Sequence, residues 1–339
     1  MYNKTDNVLL SSLQDSDLGG VNDVNDVNID AFTLNYTTVA SDVGDILEIR
    51  FTRDDDGNAA RNFSIDVLNI NGEAVNTAVN MWDGSSNSNW TTTSNWTKNS
   101  LPSATEDVVI RSLTPNSLTI QSTTSSVAKD FVVMSGAIVT ISAGGSLIVN
   151  GESSGEITYN RELTFLTGNT AGWHLVSSPV SNETYDNDYA TANSLATSST
   201  KRGLATYTTT LDSWSYLEDD DSNEGIFKSG TGYSLKRSLT GSVGFTGTIN
   251  TAPIGVDTAV ILGGTGGFNL VGNPYTSYVN SATFLTANTS KLVSETIWLW
   301  NPATGNYETK VTGDGFVLAP GQGFFVRANA ANNLNFAES

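Results

Sequence analysis

A single histidine limits the acid–base and metal chemistry that this sequence can support. His174 is the only histidine among 339 residues, and cysteine is absent. A Ser–His–Asp triad would have to use His174 as its base, and Ser177 and Ser178 follow it closely. Neighbours along one strand do not form a triad, and the G-x-S-x-G turn of serine hydrolases does not occur. We expect a hydrogen-bonded structural histidine, and we predict no catalytic residue and no enzymatic activity.

The carboxylates are plentiful, but they offer no recognisable acid–base pair. Glycosidase chemistry needs two acids about 5–10 Å apart in a cleft, one of them with a raised pKa. The 35 Asp and Glu residues lie mostly in turns, and with so many some pair is always available by number alone. Asp66, in FSIDVL, is the acid most deeply embedded in a strand pattern, and it has no evident partner.

Two Asp-rich turns place oxygen ligands at alternate positions, as flexible Ca²⁺ loops do. The ligands that they offer are Asp54, Asp56, Asn58, Asp219, Asp221 and Asn223. Neither turn has the glycine at position six and the glutamate at position twelve of an EF-hand. An ordinary solvated turn is the alternative for each. Ca²⁺ is the one cofactor that the sequence suggests.

Two pairs of aromatic residues are candidates for stacking on sugar rings. Trp298 and Trp300 lie two apart in TIWLWN, as do Trp214 and Tyr216 in SWSY. Residues two apart on a strand share one face, and exposed rings make apolar contact with sugars. The alternative is core packing, because a chain rich in Ser, Thr and Asn must bury its area with large aromatic residues.

Three further tryptophans precede the strand-like run DVVI. Trp82, Trp90 and Trp96 stand among Ser, Thr and Asn. For these we favour core packing over a sugar platform, with the rings capping the end of a thin stacked sheet.

Composition and charge indicate an all-β protein with no nucleic-acid partner. The chain is 38% hydrophobic, and its polar part is dominated by Ser, Thr, Asn and Gly, which are poor helix formers. A net charge of −19 argues against nucleic acid and against anionic lipid. No run approaches the ~20 apolar residues of a membrane helix, and the beginning lacks a signal peptide. We therefore expect no membrane insertion, and a mature segment of a longer protein.

The strand patterns predict three regions. Residues 1–78 alternate with period two, notably in ILEIRFTR, and predict a partial antiparallel sandwich. Residues 79–160 contain brief strands about every ten residues, which predicts a short β-solenoid or, alternatively, a meander. Residues 161–339 contain longer strands bounded by Gly, Asn or Pro, typical of a sandwich or jelly roll. One short helix is predicted at NSATFLTAN, capped by Asn280 or Ser281.

The segment WDGSSNSNWTTTSNWTKNSLPSATEDVVI resembles the opening segment, W-G…W…NW…P…DVVI, of large surface and secreted proteins of Bacteroidetes, especially flavobacteria. The pieces GWHLVSSPV, FNLVGNPYTSYVN and APGQGFFV are similar to a module that often follows in those proteins. The resemblance covers about residues 80–339. It implies export by the type IX system, guided by a C-terminal sorting domain that this sequence does not contain, and a location outside the cell or on its outer surface.

The resemblance also implies a modification site. Asp257, Thr258 and Ala259 match the three-residue pattern used for O-glycosylation in that phylum, so Thr258 is the predicted acceptor.

Two functions follow as expectations. The first is a non-catalytic extracellular segment, a stalk, spacer or adhesion region of a larger exported protein, with other surface or secretion proteins as partners. The second is a carbohydrate-binding region of a secreted polysaccharide-degrading enzyme, with a polysaccharide as partner.

Overall fold

The structure is a computed structural model, and after residue 78 it describes the chain in five stretches. These are residues 79–168, 171–251, 258–260, 266–329 and 331–338, with the backbone of three short strands before them. Contacts divide the chain into two compact units, Met1–Thr77 and Ala78–Ser339. Strands predominate in the described residues, so the predicted all-β class is confirmed.

The first unit contains a small antiparallel sheet in the order β2-β1-β3. Its strands are β1 Tyr2–Asn3, β2 Val8–Leu9 and β3 Leu47–Glu48. Strand β3 lies within the predicted strand ILEIRFTR. The other strands predicted before residue 79 lie outside the described residues, as do the candidate ligands Asp54, Asp56 and Asn58 and the acid Asp66.

The second unit begins with a stack of parallel strands that winds through three sheets. The strands are β4 Val79–Trp82, β5 Asp107–Ile110, β6 Leu118–Ile120, β7 Ser125–Ala128, β8 Phe131–Val133, β9 Val139–Ile141, β10 Ser146–Val149, β11 Ser153–Ser154 and β12 Ile157–Leu163. The sheets have the orders β11-β8-β5-β4, β12-β9-β6 and β10-β7, and all of these pairings are parallel. Of the two arrangements that the sequence left open, the solenoid is confirmed and the meander is wrong.

From β5 to β9 each strand pairs with the strand three places further along the chain. Val108 lies opposite Phe131, 23 residues later, and Leu118 lies opposite Val139, 21 residues later. One turn of the solenoid is therefore about 22 residues long and contains three strands, and the ten-residue spacing in the sequence is that of single strands. Within a strand such as β6, alternate side chains point into the core. Burial therefore alternates with a period of two residues even in a strand of three.

Strand β12 joins the stack to the antiparallel part of the unit. It pairs in parallel with β9 and in antiparallel with β21 Gly241–Ile249. The predicted boundary between 79–160 and 161–339 falls inside this strand. One hydrophobic core cluster runs from Trp82 to Ile249 and includes residues of the stack and of the strands that follow.

A second connection joins the two-stranded sheet β10-β7 to a later part of the chain. The Leu147 N–H donates to the Thr276 carbonyl at 3.0 Å, and Thr276 Oγ1 donates to the Leu147 carbonyl at 2.7 Å. Nearby, the Tyr278 hydroxyl donates to the Gly144 carbonyl at 3.3 Å. The edge of β10 that does not pair with β7 is thus hydrogen-bonded to a segment far along the chain.

Two larger antiparallel sheets lie in the part of the described chain that follows the stack. Sheet 1 has the order β13-β20-β17-β16, with β18 also paired to β17, and sheet 2 has the order β23-β28-β25-β26. Their strands are β13 Trp173–Ser177, β16 Thr197–Ser198, β17 Lys201–Thr208, β18 Ser213–Glu218, β20 Gly232–Lys236, β23 Phe268–Gly272, β25 Thr296–Asn301, β26 Asn306–Val311 and β28 Gly323–Arg327. The remaining short strands are β14 Val180–Ser181, β15 Thr184–Tyr185, β19 Gly225–Ile226, β22 Thr258–Val260, β24 Val279–Asn280, β27 Val317–Leu318 and β29 Asn332–Leu334. The predicted sandwich-like architecture is confirmed.

Two short α-helices occur in the described residues. Helix α1, Asn187–Ala192, is capped by Asp186 and was not predicted. Helix α2, Ser281–Ala287, confirms the predicted helix, and Asn280 is its cap because its side chain accepts from the first backbone N–H groups. Among the described residues, no helix has the length and apolar character needed to span a membrane.

Candidate functional site

The aromatic residues of sheets 1 and 2 meet in a layer of half-buried rings. Strand β25 shows how the sequence produces it. Ile297 and Leu299 pack into a core cluster with the residues of α2, whereas the alternate residues Trp298 and Trp300 pack into a different cluster. Successive side chains of a strand point to opposite faces, so β25 contacts a different cluster on each face. Trp298 and Trp300 therefore lie on the same face, as predicted.

This second cluster, which we call the aromatic layer, includes residues from both sheets. Its members are Leu175, Tyr207 and Trp214 of sheet 1 and Phe268, Leu270, Trp298, Trp300 and Phe325 of sheet 2. Three of the four predicted sugar-stacking residues therefore lie in one cluster, although the sequence could not show that the two pairs would meet.

Phe325 lies at the centre of the layer and is only 5% exposed. Its ring centroid is 5.0 Å from that of Tyr207 and 5.7 Å from that of Tyr307, and both contacts are edge-to-face. Trp214 lies 6.3 Å from Phe325 in the same orientation. Because the rings meet edge to face, they fill the space between the sheets and do not form one coplanar platform.

The rim of the layer remains open. Trp298 packs edge-on against Phe268 at 5.1 Å, and Trp300 packs against Tyr307 at 4.9 Å. Both tryptophans keep part of their surface exposed, and Tyr307 is 47% exposed. The indole N–H of Trp300 is buried and has no hydrogen-bond partner in the structure, which costs free energy that packing must offset.

Tyr216, the fourth predicted residue, lies beside the layer rather than within it. Its ring is 5.8 Å from that of Trp173, and the Lys201 ammonium lies 4.8 Å from its centroid. On β17, the strand paired with β18, the Tyr207 hydroxyl donates to the Asp212 carboxylate at 2.5 Å. Burial and this hydrogen bond raise the pKa of Tyr207, so its hydroxyl stays protonated.

The second Asp-rich turn follows β18, and its side chains bind neighbouring protein groups. Asp221 Oδ1 accepts from the backbone N–H and from the side-chain amide of Asn187, at 2.9 and 2.8 Å. The Asn223 amide donates to the Tyr216 carbonyl at 2.8 Å. In the described stretches, no group of three or more His, Cys, Asp or Glu side chains is arranged to hold a metal ion. Ca²⁺ binding at Asp219, Asp221 and Asn223 stays a prediction.

An acidic cleft that the sequence did not suggest lies beside α1. Its volume is about 350 Å³, and it is lined by Glu183, Thr184, Asp186, Asp188, Tyr189, Ala192, Asn193, Gly244 and Thr246. Glu183 accepts from the Thr246 N–H, and burial raises the pKa of its carboxyl despite this bond. Asp188, Tyr189 and Ala192 of the lining come from α1, a helix that the sequence did not predict.

His174 is hydrogen-bonded, as expected. Its Nε2 lies 2.9 Å from the Thr164 carbonyl oxygen, and burial lowers the pKa of its imidazole. Ser178 Oγ donates instead to the Val180 carbonyl. The predicted hydrogen bond of His174 is confirmed.

Thr258, the predicted glycosylation site, begins β22 and lies opposite Leu334 in a short antiparallel pair.

Comparison with known proteins identifies a family. The model of a domain of unknown function, DUF8693, matches residues 81–312, which is more than half of the chain. The chain belongs to this family. The DUF8693 match begins within β4 and ends just after β26, so it includes the stack and every member of the aromatic layer except Phe325. No curated protein and no solved structure matches the chain.

Proposed function

We propose that this chain is a non-catalytic extracellular spacer or adhesion segment of a larger exported protein. The observation that carries the proposal is the hydrophobic core that continues from Trp82 at the head of the stack to Ile249 in the antiparallel part. A spacer must transmit force without separating into independent pieces, and a shared core resists such separation because both parts lose burial together.

The route of export belongs to the same proposal. Its support is the resemblance of the Trp-rich opening segment to exported proteins of Bacteroidetes, and the location proposed is the outer cell surface or the medium. The test is to express the chain in a flavobacterium as a fusion to a type IX sorting domain. We expect surface protein that external protease removes, and a fusion lacking the sorting domain is the control. Retention of both fusions inside the cell would contradict the proposal.

The spacer role has its own test. In the parent protein, residues 78–339 are exchanged for an unrelated β domain of similar length. If they act as a spacer, surface display and attachment to a substratum persist. If they are the adhesive region, display persists and attachment falls. Loss of a catalytic activity on exchange would overturn the non-catalytic assignment.

Carbohydrate binding at the aromatic layer is the second candidate. It is supported by the partial exposure of Trp298, Trp300 and Tyr307 along one rim. Affinity electrophoresis through gels containing algal or plant polysaccharides tests it, with Trp300→Ala and Tyr307→Ala against Leu113→Ala as a matched surface control, since Leu113 is fully exposed elsewhere. Binding predicts retardation that the two rim variants lose and the control keeps. If the wild-type protein is not retarded by any polysaccharide, this candidate is wrong.

Bound Ca²⁺ remains part of the second candidate. We expect CaCl₂ to raise the melting temperature more than NaCl of equal ionic strength, and Asp219→Asn to abolish the difference. An equal effect of both salts would count against a site in this turn.

A further inference from the structure

Strand β26 forms an outer edge of sheet 2. It pairs with β25 and with no other described strand. Five of its six residues, NYETKV, are exposed. On the outer side the Val311 N–H is already bound to the Asp314 carboxylate at 2.8 Å. Among the described residues the backbone edge is therefore open from Asn306 to Lys310, and an open edge is a template for another strand. Beyond Lys310, an added strand can meet Val311 through its exposed side chain but not through its N–H.

The sequence of this edge is complementary to itself. If two copies of β26 run antiparallel with Thr309 opposite its own copy, Glu308 lies opposite Lys310, and Tyr307 lies opposite Val311. The two-fold relation repeats each of these pairs, so two opposite-charge pairs and two apolar pairs form at once. Opposite charges and aromatic–β-branched pairs are both favourable directly across a sheet.

Neighbouring registers lose this match. With Glu308 opposite its own copy, two like charges meet, and with Lys310 on the two-fold axis the same is true of the ammonium groups. Like charges directly opposite each other are destabilising. The register centred on Thr309 is therefore specified by the chemistry of the strand itself.

The four side chains are available for these pairs. Tyr307 is 47% exposed and Val311 is 45% exposed, an unusual degree for large apolar residues on a strand. Glu308 accepts from Asn301 of its own hairpin at 2.7 Å, and Lys310 lies over the Phe316 ring at 5.5 Å. Neither takes part in an ion pair among the described residues.

We propose that two copies of this chain associate through β26, edge to edge, in the register centred on Thr309. Charged residues on an edge strand ordinarily oppose such pairing. Here the two charges are of opposite sign and are placed symmetrically about the centre, so they favour the pairing of like copies and oppose other registers. The inference does not depend on the proposed function.

Charge reversal tests the register directly. By sedimentation velocity of the full chain over a concentration series, we expect a reversible wild-type dimer. Glu308→Lys places two lysines opposite each other in both symmetric pairs, and Lys310→Glu places two glutamates there. Each variant alone should dimerise at least about tenfold more weakly than the wild type.

The two weak variants should nevertheless pair with each other. In a mixed dimer, one copy presents lysine at both charged positions of β26 and the other copy presents glutamate at both, so every facing pair is again of opposite sign. The 1:1 mixture should therefore form a heterodimer, and the double variant E308K/K310E should recover self-association. The control Glu224→Lys makes the same change of charge in an exposed turn and should dimerise like the wild type.

Circular dichroism and melting temperature establish that each variant is folded. A wild-type chain that stays monomeric at every concentration overturns the proposal. So does a 1:1 mixture that associates no better than its components, because that result would leave the Thr309-centred register without support.

Discussion

At the scale of single residues, the three tryptophans at the start of the stack are structural. Trp82, Trp90 and Trp96 are 0%, 3% and 1% exposed. Trp96 lies between the other two, with ring centroids 5.1 Å from Trp82 and 4.7 Å from Trp90, both edge to face. The Trp82 indole donates to the Asn116 carbonyl at 2.9 Å, and the Trp96 indole to the Trp90 carbonyl at 2.8 Å. Core packing, favoured from the sequence, is confirmed.

Trp90→Ala should therefore lower the free energy of unfolding by about 3–5 kcal/mol, the cost of emptying a large buried aromatic site. Guanidinium denaturation measures it, and Leu113→Ala, at a fully exposed position, should change little. A Trp90→Ala variant with unchanged stability would contradict the prediction.

A second residue-scale prediction concerns pH. Burial raises the pKa of the Glu338 carboxyl from 4.5 to about 7, although Ser277 Oγ donates to it at 2.7 Å. The folded state thus binds a proton more tightly than the unfolded state, and stability is lost as pH rises from about 4.5 through 7.

Glu338→Gln removes this loss. Its stability relative to wild type should rise by roughly 1–3 kcal/mol between pH 4 and pH 8, after allowance for solvent screening. Urea unfolding at several pH values measures the difference. Glu106→Gln is the control of opposite sign, because its hydrogen bond from Lys98 lowers the pKa of the carboxyl and stabilises the fold at higher pH. Parallel pH profiles for wild type and Glu338→Gln would contradict the prediction.

At the scale of elements, the solenoid depends on close backbone approach between turns. Gly155 follows β11 with φ of +78°, and a Cβ added there would lie 2.1 Å from the Val133 carbonyl oxygen of the neighbouring turn. Glycine alone meets both conditions, because any side chain would clash and would be strained at positive φ.

Gly155→Ala should cost about 1–3 kcal/mol of stability. Gly313→Ala is the matched control, since an added Cβ there meets nothing within 4 Å. Thermal unfolding of both variants distinguishes the two sites. Equal melting temperatures would mean that the turns separate easily, and that the stack is looser than its hydrogen bonds indicate.

At the scale of the whole molecule, residues 78–339 form one compact unit although they contain two kinds of β architecture. Trp90 of the stack region and Phe245 of β21 belong to the same core cluster. Thr276, which is fully buried, adds a second connection through its two hydrogen bonds with Leu147.

Stack and antiparallel strands should accordingly unfold together. Trp90→Ala and Phe245→Ala should each accelerate amide exchange in both β6 and β21, because loss of burial in either part weakens the shared core. Hydrogen exchange followed by mass spectrometry measures the response. Acceleration confined to the mutated part would show two independent units and would weaken the spacer proposal.

The amount of structure that the sequence revealed differs between these scales. Local periodicity, turn residues and the Asn280 cap predicted the strands and α2, because each depends on residues close in the chain. Helix α1 was missed, since Asn187–Ala192 is short and Asp186 gives only a cap signal. The 22-residue turn of the solenoid was also missed, because irregular turns between the strands hide the period.

The sequence by itself determined that the chain is all-β, that Trp298 and Trp300 share a face, and that His174 could serve no triad with its neighbours. Only the tertiary structure decided that Trp214 joins Trp298 and Trp300, that the three tryptophans of the Trp-rich segment are buried, and that β26 is left at an edge. The physical reason is that strand period is fixed by local backbone geometry, whereas the partner of each face is fixed by long-range burial and register.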